Sequence, residues 1–334
     1  MNKYFLLLIT CLFLLFSCNS QTKETPLSIQ KDTTVKNSPV PQTKDYNPDT
    51  SSQSDHIPLI NYDQKTKTSL GSKKEEMFNT IDFRGKGSEE RKKGVSLASR
   101  GDLKGAIEMF TKSIGILPNN PDAYFYRAKA KWEMKDYTGA EEDFAKAIKI
   151  RPLQAPYFYF RGQFFMDIKR FPEAIADFDS TIKLSSGYYD ALNYKGVALA
   201  KMGKHEQALA EYDKVLEMNP EAALALYNKG TSLAALSRFP EAEEMFTQSL
   251  KIDPKYEQAY VNRGNSRLMQ YNYQTALEDY NMALAINPAN MDALYNSGFA
   301  LIKINNLPQA CENWKKAVSK GHRLAQQQID KYCK

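Results

Sequence analysis

A 34-residue period runs from Gly87 to Leu324, seven copies long and with no insertion or deletion between copies. Its phase is set by one alanine: Ala106, Ala140, Ala174, Ala208, Ala242, Ala276 and Ala310. Four residues after each stands an aromatic: Phe110, Phe144, Phe178, Tyr212, Phe246, Tyr280 and Trp314. A fixed period of this length describes stacked supersecondary units, each of which buries its apolar face only against its neighbours. The chain is therefore expected to be an array, and an array offers a surface before it offers a catalytic centre.

Numbering each copy from 1, the copies open at Gly87, Pro121, Ala155, Tyr189, Ala223, Glu257 and Met291. Position 8 is glycine in six copies and Ala128 in the second. Glycine costs a helix interior about 1 kcal/mol relative to alanine, so a small residue recurring there points to a second helix in close approach. The alanine at position 20 is its counterpart. Helix one is expected over positions 2–14 and helix two over 18–30. Pro172, Pro240 and Pro308 at position 18 suit a first helical turn. Proline at position 32 in five copies, Pro118, Pro152, Pro220, Pro254 and Pro288, stops helix two.

The small residue at 8, Ala at 20, the aromatic at 24, a small residue at 27 and Pro at 32 resemble the tetratricopeptide repeat family, over about seven tenths of the chain. The resemblance implies an all-α, right-handed superhelical solenoid of helix–turn–helix repeats across 87–324, with the first helices lining a concave groove. Residues from Arg323 to Cys333 read as one further helix that caps the last repeat, an end that open solenoids must cover.

The N-terminus reads as a targeting segment. Lys3 precedes a mostly apolar run, Phe5 to Phe16, too short to span a bilayer, which takes about 20 residues. Leu15-Phe16-Ser17-Cys18 resembles a bacterial lipobox, which implies a signal peptide over 1–17 and a diacylglyceryl group on Cys18. Phe16 departs from the small residues usual in that motif; an ordinary signal peptide and an uncleaved anchor are the alternatives. From 18 to 86 the composition is polar and Pro-containing, as a disordered tether requires. Within it, Met77 to Phe83 is apolar enough to dock on the first repeat.

Little in the sequence argues for chemistry. The three histidines, His56, His205 and His322, are dispersed, and no cysteine pair has zinc-ligand spacing. Gly85-Lys86-Gly87-Ser88 lacks phosphate-loop spacing. Arg91, Lys92 and Lys93 read as a solvated helix face, and a formal charge of +6 is modest for a nucleic-acid binder. The expectation is no enzyme, cofactor, metal, nucleic acid or small-molecule substrate.

Position 6 lies on the helix-one face that the resemblance assigns to the groove. It is Tyr126, Phe160 and Tyr194 in the second to fourth copies, and Asn228, Asn262 and Asn296 in the fifth to seventh. With Tyr227 and further aromatics nearby, among them Phe125, Trp132, Tyr159 and Phe299, these form a candidate groove for a protein or extended peptide. An amide offers both donor and acceptor, and aromatic patches mark binding surfaces. Inter-repeat packing is the alternative for both sets. The family's chaperone-tail clamp, which implies Lys, Asn and Arg on three consecutive first helices, is absent from the sequence.

Two pairings follow from comparing copies. Where position 7 is Arg127, Arg161 or Arg263, position 23 is Asp143, Asp177 or Asp279; Lys195 goes with Glu211 and Ser297 with Asn313. An intra-repeat Arg–Asp pair is expected in three copies, with Lys93 and Lys229 left without a charge partner. Cys311 and Cys333 stand about equally far from the turn at Gly321, so antiparallel packing would let them form a disulfide in an oxidising compartment; two unpaired cysteines are the alternative. Together these features read as a lipid-anchored scaffold or adaptor on the outer membrane, facing the periplasm. Asn19 after Cys18 resembles the pattern that permits outer-membrane sorting. A self-associating array without a separate ligand is the alternative.

Overall fold

The computed structural model describes residues 85–333. The expected signal peptide, Cys18 and nearly all of the tether, Met77 to Phe83 included, lie outside the described residues. Within them are fifteen helices and no strand. The seven copies are α1 (Ser88–Ser99) with α2 (Leu103–Ile116), α3 (Pro121–Glu133) with α4 (Tyr137–Ile150), α5 (Ala155–Asp167) with α6 (Phe171–Leu184), α7 (Tyr189–Lys201) with α8 (His205–Met218), α9 (Ala223–Ala235) with α10 (Phe239–Ile252), α11 (Glu257–Met269) with α12 (Tyr273–Ile286), and α13 (Met291–Lys303) with α14 (Leu307–Ser319). A short helix, α15 (Ala325–Tyr332), follows. Each helix packs chiefly on the one before and the one after it, as stacked repeats must.

The seven alanines at position 20 are fully buried, and the seven rings at position 24 are buried to 1% exposure or less. The rings lie directly under position 8. A Cβ added to Gly94, Gly162, Gly230 or Gly264 would stand 2.6–2.8 Å from a ring carbon of Phe110, Phe178, Phe246 or Tyr280. Glycine is thus kept against its helix propensity because the ring fills the space.

The turn between the helices carries a feature the sequence did not advertise. Position 15 has a left-handed backbone in every copy: Gly101, Lys135, Lys169, Gly203, Ser237, Tyr271 and Asn305, with φ from 60° to 85°. Position 16 then donates its N–H to the carbonyl of position 11 at 2.8–3.0 Å, closing helix one in a Schellman motif. Only two of the seven are glycine. Tyr271, 64% exposed, holds this conformation against a steric cost of about 1–2 kcal/mol.

One junction departs from the rest. Position 10 is Ser96, Ala130, Ala198, Ser232, Ser266 and Ala300 in six copies, but Phe164 in the third. Phe164 is fully buried, and its ring meets Trp132, Tyr137, Phe144 and Phe165 at 5.4–6.3 Å. A benzyl group where other junctions hold a methyl or hydroxymethyl spreads the backbones. The α4–α5 approach is the loosest of the sequential helix pairs, and α3 and α5 lack the close approach made by the other consecutive first helices. Rings fill the gap, with Phe125 reaching Tyr157 at 5.0 Å and Phe160 at 5.4 Å.

Candidate functional site

The seven expected groove residues fall into two groups. Asn228 and Asn296 are 4% and 7% exposed, Tyr126 and Tyr227 are buried, and Phe160, Tyr194 and Asn262 are half-buried. The amides are engaged in joining one repeat to the next. Asn228 Nδ2 donates to Asn193 Oδ1 at 3.1 Å, Asn262 Nδ2 to the Tyr227 hydroxyl at 3.0 Å, and Asn296 Nδ2 to Asn265 Oδ1 at 2.9 Å. Asn265 also accepts from the Tyr280 hydroxyl at 2.8 Å. The asparagine positions therefore form a polar spine between first helices, which corrects their reading as an open ladder. The physical reason is packing: at Asn228 and Asn296 the neighbouring first helices cover position 6, and a buried amide must find a partner in the protein.

The aromatic half keeps accessible surface. Phe160 and Tyr194 remain partly accessible, and Trp132 joins them. The Trp132 indole Nε1 donates to Asp167 Oδ2 at 2.8 Å, and the Lys129 ammonium lies over the Phe160 ring at 4.3 Å. Tyr194 stacks on Phe178 at 5.7 Å. Lys129 and Asp167 carry no motif; they emerge only when α3 and α5 are set side by side.

Positions 7 and 23 meet within five of the seven hairpins. Arg127 donates Nε and Nη2 to Asp143 at 2.8 and 2.7 Å, and Arg161 donates to Asp177 at 2.7 Å through both. Arg263 reaches Asp279 at 2.7 Å, and Arg267 joins the same carboxylate at 2.9 Å. Lys195 contacts Glu211 at 3.1 Å, and Asn313 donates to Ser297 at 2.9 Å. The three aspartate side chains are only 6%, 5% and 2% exposed. Burial raises the Asp177 and Asp279 carboxyls above their ordinary range, opposed by the hydrogen bonds from Arg161 and Arg263. Position 7 also reaches back to position 25 of the preceding copy. Lys195 meets Asp179 at 2.7 Å, Lys229 meets Asp213 at 2.6 Å, and Arg127 and Arg263 donate to Thr111 and Thr247 at 3.1 Å. Lys229 is thus paired, contrary to expectation, because its partner lies one repeat away.

At the C-terminal end, Cys311 on α14 and Cys333 after α15 are joined by a disulfide, with 5.7 Å between their Cα atoms. Tyr332 stacks on buried Trp314 at 5.7 Å, and His322 stacks on Tyr295 at 4.0 Å. Burial lowers the His322 pKa from 6.5, with Asp292 opposing. Among the described residues no group of His, Cys, Asp and Glu is placed to hold a metal, and no helix is long and apolar enough to cross a membrane.

The sequence profile of the tetratricopeptide repeat family matches residues 125–189, 194–257 and 227–291. No curated protein sequence matches the chain. Among solved structures, a tetratricopeptide repeat protein from Parabacteroides merdae is similar at 16% identity and TM-score 0.60, covering 75% of this chain and 99% of its own. The C-terminal part of a repeat protein from Cytophaga hutchinsonii gives 17% identity and TM-score 0.58, covering 71% and 98%. PilF of Pseudomonas aeruginosa gives 17% and 0.54, covering 62% and 94%. At these identities the likeness is one of fold, and it agrees with the hairpins and with the buried alanine and ring of each copy: the hairpins within 125–189 and 194–291 match the tetratricopeptide repeat profile, and the remaining ones share their fold.

Proposed function

We propose that this chain is a lipid-anchored adaptor of the bacterial cell envelope, held by Cys18 on the outer membrane and recruiting a protein partner along its first-helix face in the periplasm. Tetratricopeptide repeat arrays mediate protein–protein interaction, and the observation that carries the reading here is the partly accessible aromatic surface of Trp132, Phe160 and Tyr194. Large rings that keep accessible area are the residue types that anchor partners. The Cys311–Cys333 disulfide supports an oxidising compartment, where such bonds persist. Two acyl chains on one cysteine would hold the chain to a bilayer stably, where one chain alone is marginal.

Photo-crosslinking in intact cells tests the adaptor reading. A crosslinker at Phe160 or Tyr194 should capture a discrete protein, whereas one at exposed Lys146 on α4 should not. Equal capture from both positions, or from neither, would refute it. Phase partition with detergent tests the anchor: Cys18→Ala should move the protein into the aqueous phase.

A further inference from the structure

Two open hollows of about 510 and 550 Å³ flank α8 on the second-helix side of repeats 3 to 5. The first lies between α6 and α8 over α7, with Pro172, Ile175, Leu199 and Met202 as its apolar lining. The second lies between α8 and α10 over α9, with Leu209, Leu233, Pro240 and Met245. Ala210 lines both, so the two meet across it as one trough. Trp132, Phe160 and Tyr194 line neither. Departures from the period shape this trough. Position 22 is glutamate in five copies, Glu108, Glu142, Glu244, Glu278 and Glu312, but Ala176 and Ala210 in the third and fourth. Position 23 carries Asp143, Asp177 or Asp279 in three copies, and Met245 here. The floor pairs position 21 of one copy with position 11 of the next, Ile175 with Leu199 and Leu209 with Leu233. Between repeats 5 and 6 the same two positions are Glu243 and Arg267, and an ion pair of 2.8 Å crosses the equivalent groove. Between repeats 2 and 3, Arg170 reaches Glu141 at 2.7 Å and covers the Phe165 ring at 4.6 Å.

We infer that this trough is a second docking surface, which takes an aliphatic segment with a basic end from a partner protein. It goes beyond the adaptor reading and does not depend on what the first-helix face binds. The aliphatic requirement follows from the lining, where Met202 is 36% exposed and Pro172 and Pro240 also stand open. The basic end follows from the charges at the second hollow, four carboxylates against two cations. Asp213 is satisfied by Lys229 at 2.6 Å, and Glu241 by Arg238 at 2.5 Å. That leaves Glu206, 3.8 Å from the same Arg238, and Glu244, which accepts from neutral Gln248 at 2.7 Å. The first hollow differs. Its Glu211 is held by Lys195 at 3.1 Å and Lys214 at 3.0 Å, and Lys204 stands at its rim. The basic end therefore belongs over the second hollow, where a lysine or arginine gains charge-assisted hydrogen bonds.

The full mature chain is titrated into the blocked, dye-labelled peptide Leu-Ala-Ala-Leu-Ala-Ala-Leu-Lys-Arg, and binding is read by fluorescence anisotropy. Three leucines at equal spacing let two of them reach the two hollows at either of two separations. Binding should saturate. Serine in place of every leucine should weaken it at least about tenfold. Glu-Glu in place of Lys-Arg should weaken it about fivefold or more at low salt, and Glu206→Gln with Glu244→Gln should abolish that difference. Ala210→Gln has the length of the glutamate that five copies carry, without its charge. It should weaken binding at least about tenfold with melting unchanged, because residue 210 is exposed. No saturable binding, equal binding of the serine or the acidic-ended peptide, or an unaffected Ala210→Gln variant would overturn the proposal. Crosslinking from Phe160 and Tyr194 reports on the first-helix face alone, so failure of either surface is seen separately.

Discussion

The Arg–Asp clasps can be tested against a substitute the chain already contains. In repeat 6, Asp279 is 2% exposed and accepts from both Arg263 and Arg267, at 2.7 and 2.9 Å. In repeat 7 the same two positions are Ser297 and Asn313, joined by a neutral hydrogen bond of 2.9 Å. Asp279→Asn alone removes the charge that faces two guanidinium groups. Breaking one side of a buried pair costs about 3–5 kcal/mol. Arg263 and Arg267 keep 15% and 19% exposure, and Arg267 retains Glu243 at 2.8 Å, so the lower end, about 3 kcal/mol, is expected. Arg263→Ser alone leaves Asp279 with Arg267 and should cost about 2 kcal/mol. The double change, which transplants the repeat 7 pair, should cost less than Asp279→Asn alone, giving a coupling of about 2 kcal/mol or more. Arrays of this kind need not unfold in two states. The assay is therefore hydrogen exchange in α11 and α12, read as local opening free energies beside urea midpoints. Additive losses in the double variant would refute the argument, since they would mean that each residue acts through packing alone.

Three further outcomes are expected. Replacing Asn228, Asn262 and Asn296 together by Ala should lower the melting temperature markedly, each change costing about 1–3 kcal/mol as buried partners such as Asn193 and Asn265 lose a hydrogen bond; unchanged melting would refute the polar spine. Burial lowers the His322 pKa from 6.5, so the unfolded chain takes up a proton that the folded chain resists. That contribution to stability is complete above pH 6.5 and is lost as pH falls below it. Melting between pH 7.5 and 5.5 should show a drop that His322→Gln reduces. The mature, natively exported protein should gain the mass of two hydrogens on reduction, from Cys311 and Cys333; two freely titrating thiols before reduction would exclude the bond.

What the sequence made legible was whatever the period itself encodes. The phase, the ring under each small residue and the position 7–23 clasps emerge because copies of one unit repeat the same contact, the clasps in five of the seven. Relations between copies were harder to see. Lys229 looked unpaired because Asp213 belongs to the preceding repeat. Asn228, Asn262 and Asn296 looked like groove residues because periodicity gives a helix face, while the neighbouring helix decides how much of that face stays open. Departures from the period were hardest. Phe164 reads as one more aromatic in an aromatic helix, and only the separation it forces between α3, α4 and α5 shows its consequence. The left-handed turn at position 15 was hidden for a similar reason, because five of its seven residues are not glycine.

The reach of position 7 into the preceding repeat limits how freely these units can be exchanged. A cut that removes residues 155–188 preserves register and joins two intact hairpins. It would nevertheless set Lys195 beside Ala145 in place of Asp179, leaving it Glu211 alone. Removing residues 189–222 instead would bring Asp179 opposite Lys229, restoring a carboxylate where Asp213 had been. Units of identical length are thus not equivalent as modules. Duplication or loss of a copy is tolerated or resisted according to which side chain stands at position 25 of the unit upstream, and the third copy, which supplies both Asp179 and the Phe164 spacer, is the least dispensable of the interior ones.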